Sequence, residues 1–444
     1  MILIPTFTNW LNKQNKLVFN LYAILAAFLT YSCMYAFRKP FSVATFDNMI
    51  FFGVHYKIWL ITAQVLGYTI SKFLGIKVIS EMKARYRALA IIAIILVAHL
   101  ALLGFACTPA PYNIVFLFIN GLPLGLVWGL VLSYLEGRST TEILSAGLSV
   151  SFIFASGFIK SVGKFLILNF NISEFWMPFY TGLIFMIPLI LAVFFLNQIP
   201  EPTLEDKKQR TERKPMTTKD RKNFIREYAF IITGFIMTYV ALTILRDIRD
   251  NYAAELWIEL GLGNTPELFT LTEIPVGVGV LLIMGLCALI KDNIKALHTS
   301  ILLILVGFAI VLAGTFSLQH NIISGTAWMI LVGFGLYLGY IAYHTMVFER
   351  LIATFKIAGN IGFIFYLADS FGYLGSIGSF LMKNFLSPDL SWLNFYKQLS
   401  YTISITGIFC VLIAYYFSHN KYQKKYNQKA EKSENPELEL ITHI

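Results

Sequence analysis

Two arginines stand at the ends of apolar runs, each eight residues after a Thr-Tyr pair. The first is Thr30-Tyr31-Ser32-Cys33-Met34-Tyr35-Ala36-Phe37-Arg38, followed by Lys39-Pro40-Phe41. The second, Thr238-Tyr239-Val240-Ala241-Leu242-Thr243-Ile244-Leu245-Arg246, repeats the spacing 208 residues later. A guanidinium is planar, permanently charged and armed with paired donors, so it grips an oxyanion as a fork. Two such forks from corresponding places in a duplicated chain read as the poles of an anion site. The competing reading for each is an exposed or interfacial charge. Arg38 lies 22 residues beyond Lys16, about 33 Å along a straight helix, which reaches the far interface. The apolar continuation Phe41 to Phe52 favours a helix that runs on past Pro40 and leaves Arg38 facing the bundle.

Other charges sit where lipid would punish them. Lys72 has apolar neighbours on both sides, and a charge on the lipid face there costs about 2.5–3.5 kcal/mol, so it is expected to face the interior. Lys160 is read as cavity-lining and Lys164, one turn on, as an interfacial snorkeller. Asp369 falls near the middle of an apolar run and is either a proton or ion carrier or the counter-ion of Lys160. Arg246 and Asp250 share a helix face at i, i+4, whereas Asp247 and Arg249 do not, which suggests a lumen-facing pair. Glu136 and Glu349 are expected to pair with Arg138 and Arg350 or with neighbouring loops as gate latches. His344 reads as a hydrogen-bonded packing histidine. No phosphate-cradling loop, metal-ligand cluster or nucleophile constellation is present, so no enzyme activity, cofactor or metal is expected.

The elements that must position these residues follow from composition. With 444 residues, 57% hydrophobic and 14% charged, and a mean hydropathy of +0.66, the chain is too apolar for a soluble protein of its size. A hydrocarbon core of roughly 30 Å needs about 20 apolar residues per helix. On that criterion twelve spans emerge, near 17–40, 57–79, 88–108, 112–135, 143–169, 175–198, 228–250, 268–290, 297–317, 324–348, 357–384 and 397–418. The expected organisation is an N-terminal six-helix bundle (1–199), a basic linker (200–226), a C-terminal six-helix bundle (227–420) and a charged tail (421–444). The four cysteines, Cys33, Cys107, Cys287 and Cys410, lie in apolar runs and are expected to be reduced and buried. The first run lacks a small-residue cleavage site and reads as a retained helix.

Of the 35 Lys and Arg, only Arg38, Lys39, Lys57, Arg246, Arg249, Lys383 and Lys397 fall on one side, and Lys72, Lys160 and Lys164 fall within spans. The rest crowd the other side. This bias puts the termini, linker and tail in the cytoplasm, and it explains most of the net charge of +10 without nucleic acid or an acidic partner. Two further echoes support a duplication. Glu136 recurs as Glu349, and Ser161-Val162-Gly163-Lys164-Phe165-Leu166 recurs as Ser376-Ile377-Gly378-Ser379-Phe380-Leu381. Three echoes in one order argue for two parallel six-helix repeats, the arrangement of the major facilitator fold. The glycine series Gly121, Gly125, Gly129 and Gly372, Gly375, Gly378 is expected to serve close helix packing.

The residues also carry a family resemblance. Tyr35-Ala36-Phe37-Arg38-Lys39-Pro40-Phe41, then Gly67-Tyr68-Thr69-Ile70-Ser71-Lys72-Phe73-Leu74-Gly75, resemble the first two helices of the organophosphate:phosphate antiporters, a branch of the major facilitator superfamily. Leu245-Arg246 with Asp250, and Glu273-Ile274-Pro275-Val276-Gly277 with Gly285, resemble that branch's seventh and eighth helices. The resemblance implies that Arg38 and Arg246 bind the substrate's phosphate group and that Lys72 belongs to the same pocket. Where the branch has a histidine proposed to couple protonation to binding, this chain carries Ser156, with Lys160 one turn on, which opens the substrate to a carboxylate, a sulfonate or a lipid head group. Gly75 to Arg85 is a degenerate form of the superfamily's charged loop, with Glu81 in the place of the aspartate and Arg85 beside it, and the resemblance implies gating. The chain also resembles an uncharacterised membrane-protein family, which supplies no substrate.

These observations together predict an all-α, twelve-span major facilitator transporter of the cytoplasmic membrane, monomeric in the bilayer, moving a small anion by alternating access. Arg38, Arg246, Lys72 and Lys160 would bind it, and Asp369 and Asp250 would balance charge or couple a proton. The rival is a transporter-like anion sensor that reports through the linker or tail.

Overall fold

The computed structural model describes residues 4–47, 49–138, 140–202, 206, 218–355 and 361–434. Ten helices among these are long and apolar enough to cross a membrane. They are α1 (Lys16–Tyr35), α3 (Ala84–Cys107), α4 (Ile114–Leu132), α5 (Ile143–Phe170), α6 (Met177–Leu196), α7 (Arg226–Asn251), α8 (Leu268–Cys287), α9 (Asn293–Gln319), α10 (Gly325–Phe355) and α12 (Trp392–Lys424). Two more helices of 26 residues, α2 (Tyr56–Glu81) and α11 (Ile361–Leu386), complete twelve spans at about 39 Å each. They are the pair that carries Lys72 and Asp369. Both ends of the described chain therefore lie on one face, the terminal face; the other is the distal face.

Capping follows the sequence. Asn15, Asp292 and Ser324 each accept a backbone N–H at the start of α1, α9 and α10, satisfying donors that a helix end leaves unpaired. Helices pack closely where glycine replaces a side chain. A Cβ on Gly121 of α4 would lie 2.2 Å from the Gln64 carbonyl oxygen of α2, so the two backbones touch there. The expected role of the glycine series stops short of Gly378, which has nothing within 4 Å of a built Cβ. The halves meet along α2 with α11 and along α5 with α8. Large apolar side chains such as Ile187, Leu282 and Phe409 stay exposed, as a lipid-facing surface requires.

The structure differs from expectation at the end of α1. The helix stops at Tyr35, and Pro40–Val43 forms a 3-10 turn instead of extending the span. Pro40 has no N–H to donate, so the bond back to the Ala36 carbonyl that would carry the helix on cannot form. The following segment folds back as a two-residue hairpin pairing Ile50–Phe51 with Val54–His55. The cysteines also differ from expectation: all four are free, but Cys107 is exposed.

Candidate functional site

The break after Tyr35 sets Arg38 deep in the molecule. Its carbonyl accepts the Gln64 amide at 2.9 Å, and Gln64 also donates to Asn120 at 2.8 Å; Asn120 in turn donates to the carbonyls of Phe37 and Ala98. Two side-chain amides thus satisfy the carbonyls that the broken helix frees, which a dry interior demands. Gln64 and Tyr68 stand eight and twelve residues into α2, roughly 12 and 18 Å below its first residue. The Arg38 guanidinium lies 3.9 Å from the Tyr68 ring centroid and the residue is 8% exposed, so it is no interfacial anchor. Among the described residues no carboxylate pairs with it, and its Nε has no partner.

Lys39, the next residue, turns the other way. It pairs with Asp250 of α7 and donates to Asn251 at 2.9 Å. Asp250 also receives the Lys160 ammonium and the Ser156 hydroxyl from α5, so one carboxylate of the second half holds three groups of the first. Lys57 pairs with Glu255 at 2.5 Å and donates to the Ser42 carbonyl at 2.8 Å. Nearer the terminal face, Lys72 of α2 pairs with Asp369 of α11, and the Tyr239 hydroxyl donates to the same carboxylate. The Lys72 ammonium also lies 5.1 and 5.2 Å from the rings of Tyr68 and Tyr373.

Arg246 sits over the Tyr340 ring at 4.3 Å and is held by Asp247 at 2.7 and 3.0 Å. The expected i, i+4 pair with Asp250 does not form, because Asp250 is drawn across to the lysines of the first half. Arg249 pairs with Glu273 at 2.7 Å. Asp369 is the counter-ion of Lys72, not of Lys160: corresponding helices of the two repeats need not touch, whereas α2 and α11 do. Among the described residues, the interior between the halves therefore holds seven cations (Arg38, Lys39, Lys57, Lys72, Lys160, Arg246, Arg249) and five carboxylates (Asp247, Asp250, Glu255, Glu273, Asp369). One surplus charge is Arg38; the other lies in the two lysines that share Asp250.

Aromatic rings surround these charges. Tyr68 and Tyr373 meet edge-on at 5.6 Å, and Tyr35 and Tyr373 lie close enough to both Arg38 and Arg246 to feel their charge. His344, in a π-helical turn over Tyr343–Val347, lies 3.3 Å from the Tyr239 hydroxyl, in keeping with a packing, hydrogen-bonded role. Glu136 and Glu349 are partly buried at the terminal face; Arg138 is turned to the Pro200 carbonyl and Arg350 donates to Asn293 at 2.8 Å. Arg85 is exposed and stacks on Tyr86, while the Glu81 side chain lies outside the described residues. Sequence reasoning missed the Gln64–Asn120 brace, the tyrosine surround and the Lys57–Glu255 pair. Polar amides inside apolar runs were the one visible signal for the first.

The model of a family of unknown function (DUF5690) matches residues 40–421. No curated protein matches the chain. Among solved structures, the D-xylose-proton symporter superposes with a TM-score of 0.59 at 17% identity, covering 89% of this chain and 96% of that one. The major facilitator superfamily proton:xylose symporter XylE bound to 6-bromo-6-deoxy-D-glucose gives 0.60 at 14%, with 90% and 96% covered. A variant of the nucleoside transporter NupG gives 0.60 at 14%, with 89% and 99% covered. These likenesses establish the major facilitator fold. They lend no support to the organophosphate branch suggested by the first two helices.

Proposed function

The chain belongs to the family of unknown function DUF5690, and we propose that it is a secondary transporter of a small organic or inorganic anion, working by alternating access in the cytoplasmic membrane with both termini inside. The observation that carries this reading is Arg38, a buried guanidinium without a carboxylate, at the seam between the halves. Burying an unpaired charge is costly, and a site that keeps one is suited to a ligand of opposite sign. Arg246 faces the same tyrosines from the other half, so an anion held by both would join the halves. Lys72 and Lys160 add positive field, and Asp369 and Asp250 balance them in the absence of substrate. An incoming anion competes with those carboxylates for the cations, which loosens the pairs that tie the halves together. Ser156 binds Asp250, so the position that resembles the branch's coupling histidine here helps hold a carboxylate.

The test is uptake of labelled phosphate, and of a panel of labelled organic anions, into proteoliposomes preloaded with the same anion. Exchange lost in both Arg38→Lys and Arg246→Lys, with folding retained, supports one shared site. No exchange of any anion by folded wild-type protein refutes the proposal.

A further inference from the structure

Beside the cationic site the two halves meet in a cluster of rings. Trp128 of α4 and Phe152 of α5 pack with ring centroids 4.5 Å apart, and Tyr31 meets them edge-on at 5.1 and 5.6 Å. From the other half, His344 approaches Phe152 at 5.3 Å and Trp128 at 6.2 Å, and Tyr340 approaches Phe152 at 6.4 Å. Tyr340 is also the ring under the Arg246 guanidinium, so the ring cluster borders the charges. Trp128, Phe152 and His344 keep partial exposure although their neighbours Tyr31 and Tyr340 are sealed. Among the described residues the Trp128 indole N–H has no hydrogen-bond partner, yet it is not among the sealed, unpartnered atoms; it faces accessible space.

Resting on the anion-transport reading, we propose that this aromatic box seats a ring, and that the substrate is an anion carried on a ring body, its charge directed to Arg246 and Arg38. The flat faces of Trp128 and Phe152 pack against a planar ring or the C–H face of a pyranose, which an open chain covers less well and at a larger entropic cost. The indole N–H supplies a donor for a hydroxyl or ring oxygen. A bare inorganic anion leaves the box unfilled.

The experiment compares anions matched in charge but not in shape, by equilibrium binding to the purified full chain in detergent. Glucuronate, a ring, is set against gluconate, an open chain. Phenyl phosphate is set against glycerol phosphate. The expected result is that at least one ring member binds three- to ten-fold tighter than its open-chain partner. In Trp128→Leu and Phe152→Leu that preference should vanish while the open-chain anion keeps its affinity within two-fold, and Trp128→Phe should retain most of the preference, which separates ring packing from misfolding. Equal affinities within both pairs, or a preference that survives both leucine variants, overturns the ring inference and leaves anion transport standing. No binding by any of the four, together with no anion exchange in proteoliposomes, overturns both.

Discussion

The pair Lys72 and Asp369 joins the two halves, and its side chains are 13% and 9% exposed. Replacing Lys72 by Met strips a buried carboxylate of its cation and leaves it the Tyr239 hydroxyl. Breaking such a pair from one side costs about 3–5 kcal/mol. Protonation caps the loss: moving an ordinary carboxyl, with a pKa near 3.9, to its neutral form at pH 7 costs about 4 kcal/mol at 1.36 kcal/mol per unit. Lys72→Met should therefore lose about 3–4 kcal/mol at pH 7, and roughly 2 kcal/mol less at pH 5.5, because the escape by protonation becomes easier as pH falls. Asp369→Asn, which leaves an ammonium against two tyrosine rings, should lose a similar amount and show the opposite trend. The double variant Lys72→Met with Asp369→Leu removes both charges and should return to within about 1 kcal/mol of wild type. Thermal unfolding of the purified protein reads this as a fall of roughly 3–8 °C in each single variant, at about 1–2 °C per kcal/mol for a chain of this length. A double variant as unstable as the sum of the singles would show that the two groups do not pair in the resting protein.

The two central arginines should behave differently. Arg38→Ala removes a charge without a carboxylate and with it the cost of burying that charge, so it should destabilise the protein by no more than about 1 kcal/mol, the stacking on Tyr68, whereas Arg246→Ala orphans Asp247 and should cost about 3 kcal/mol; equal losses in thermal unfolding would contradict the assigned partners. Asp250→Asn leaves the ammoniums of Lys39 and Lys160 facing each other and should both destabilise the protein by more than about 3 kcal/mol and speed thiol labelling of a cysteine placed at Ser42. An unchanged labelling rate would remove Asp250 from the distal closure. A Cβ on Gly157 would stand 2.1 Å from the Phe269 carbonyl oxygen, so Gly157→Val should push α5 off α8 and abolish flux at normal expression; wild-type flux in that variant would mean the helices part there at no cost.

Much of this was legible in the chain, and the remainder was hidden for definite reasons. The twelve spans, the duplication and the interior placement of Lys72 follow from counting apolar residues and asking where a charge can go. What Pro40 does was also written in the sequence, yet the apolar run to Phe52 outweighed it; a proline that ends a helix inside a protein needs other groups to satisfy the freed carbonyls, and nothing in the pattern marked Gln64 and Asn120 as the ones that meet Phe37 and Arg38. Pairings failed where they depended on which helices touch. Asp369 and Lys160 sit on corresponding helices of the two repeats, a relation of symmetry and not of contact. Asp250 and Arg246 share a helix face, but lysines arriving from the turn after α1 and from α5 compete for the carboxylate, and an i, i+4 preference of a few tenths of a kcal/mol does not outweigh two buried ammoniums.

The two sides of the site are held by different balances of charge and ring contact. Towards the distal face the halves are tied by ion pairs, Lys57 with Glu255 and both Lys39 and Lys160 with Asp250, and by the Asn384 amide on the Gly53 carbonyl at 2.9 Å. Towards the terminal face one ion pair, Lys72 with Asp369, is joined by rings, Trp128 and Phe152 against Tyr340 and His344. Buried ion pairs contribute little net stability, since desolvation offsets their attraction, but they do discriminate between one arrangement and another. In the proposed cycle an opening distal face would return each partner to water at little loss, whereas a closed one would need every charge matched. Among the described residues seven cations face five carboxylates between the halves, so the charges are not all matched, and the mismatch falls on Arg38 and on the lysines around Asp250. On the proposed function, an anion held by Arg38 and the lysines around Asp250 would supply what is missing in the closed arrangement alone and would lower the barrier between the two open ones, so labelled anion should exchange faster than it is taken up without a counter-anion; equal rates would refute the reasoning.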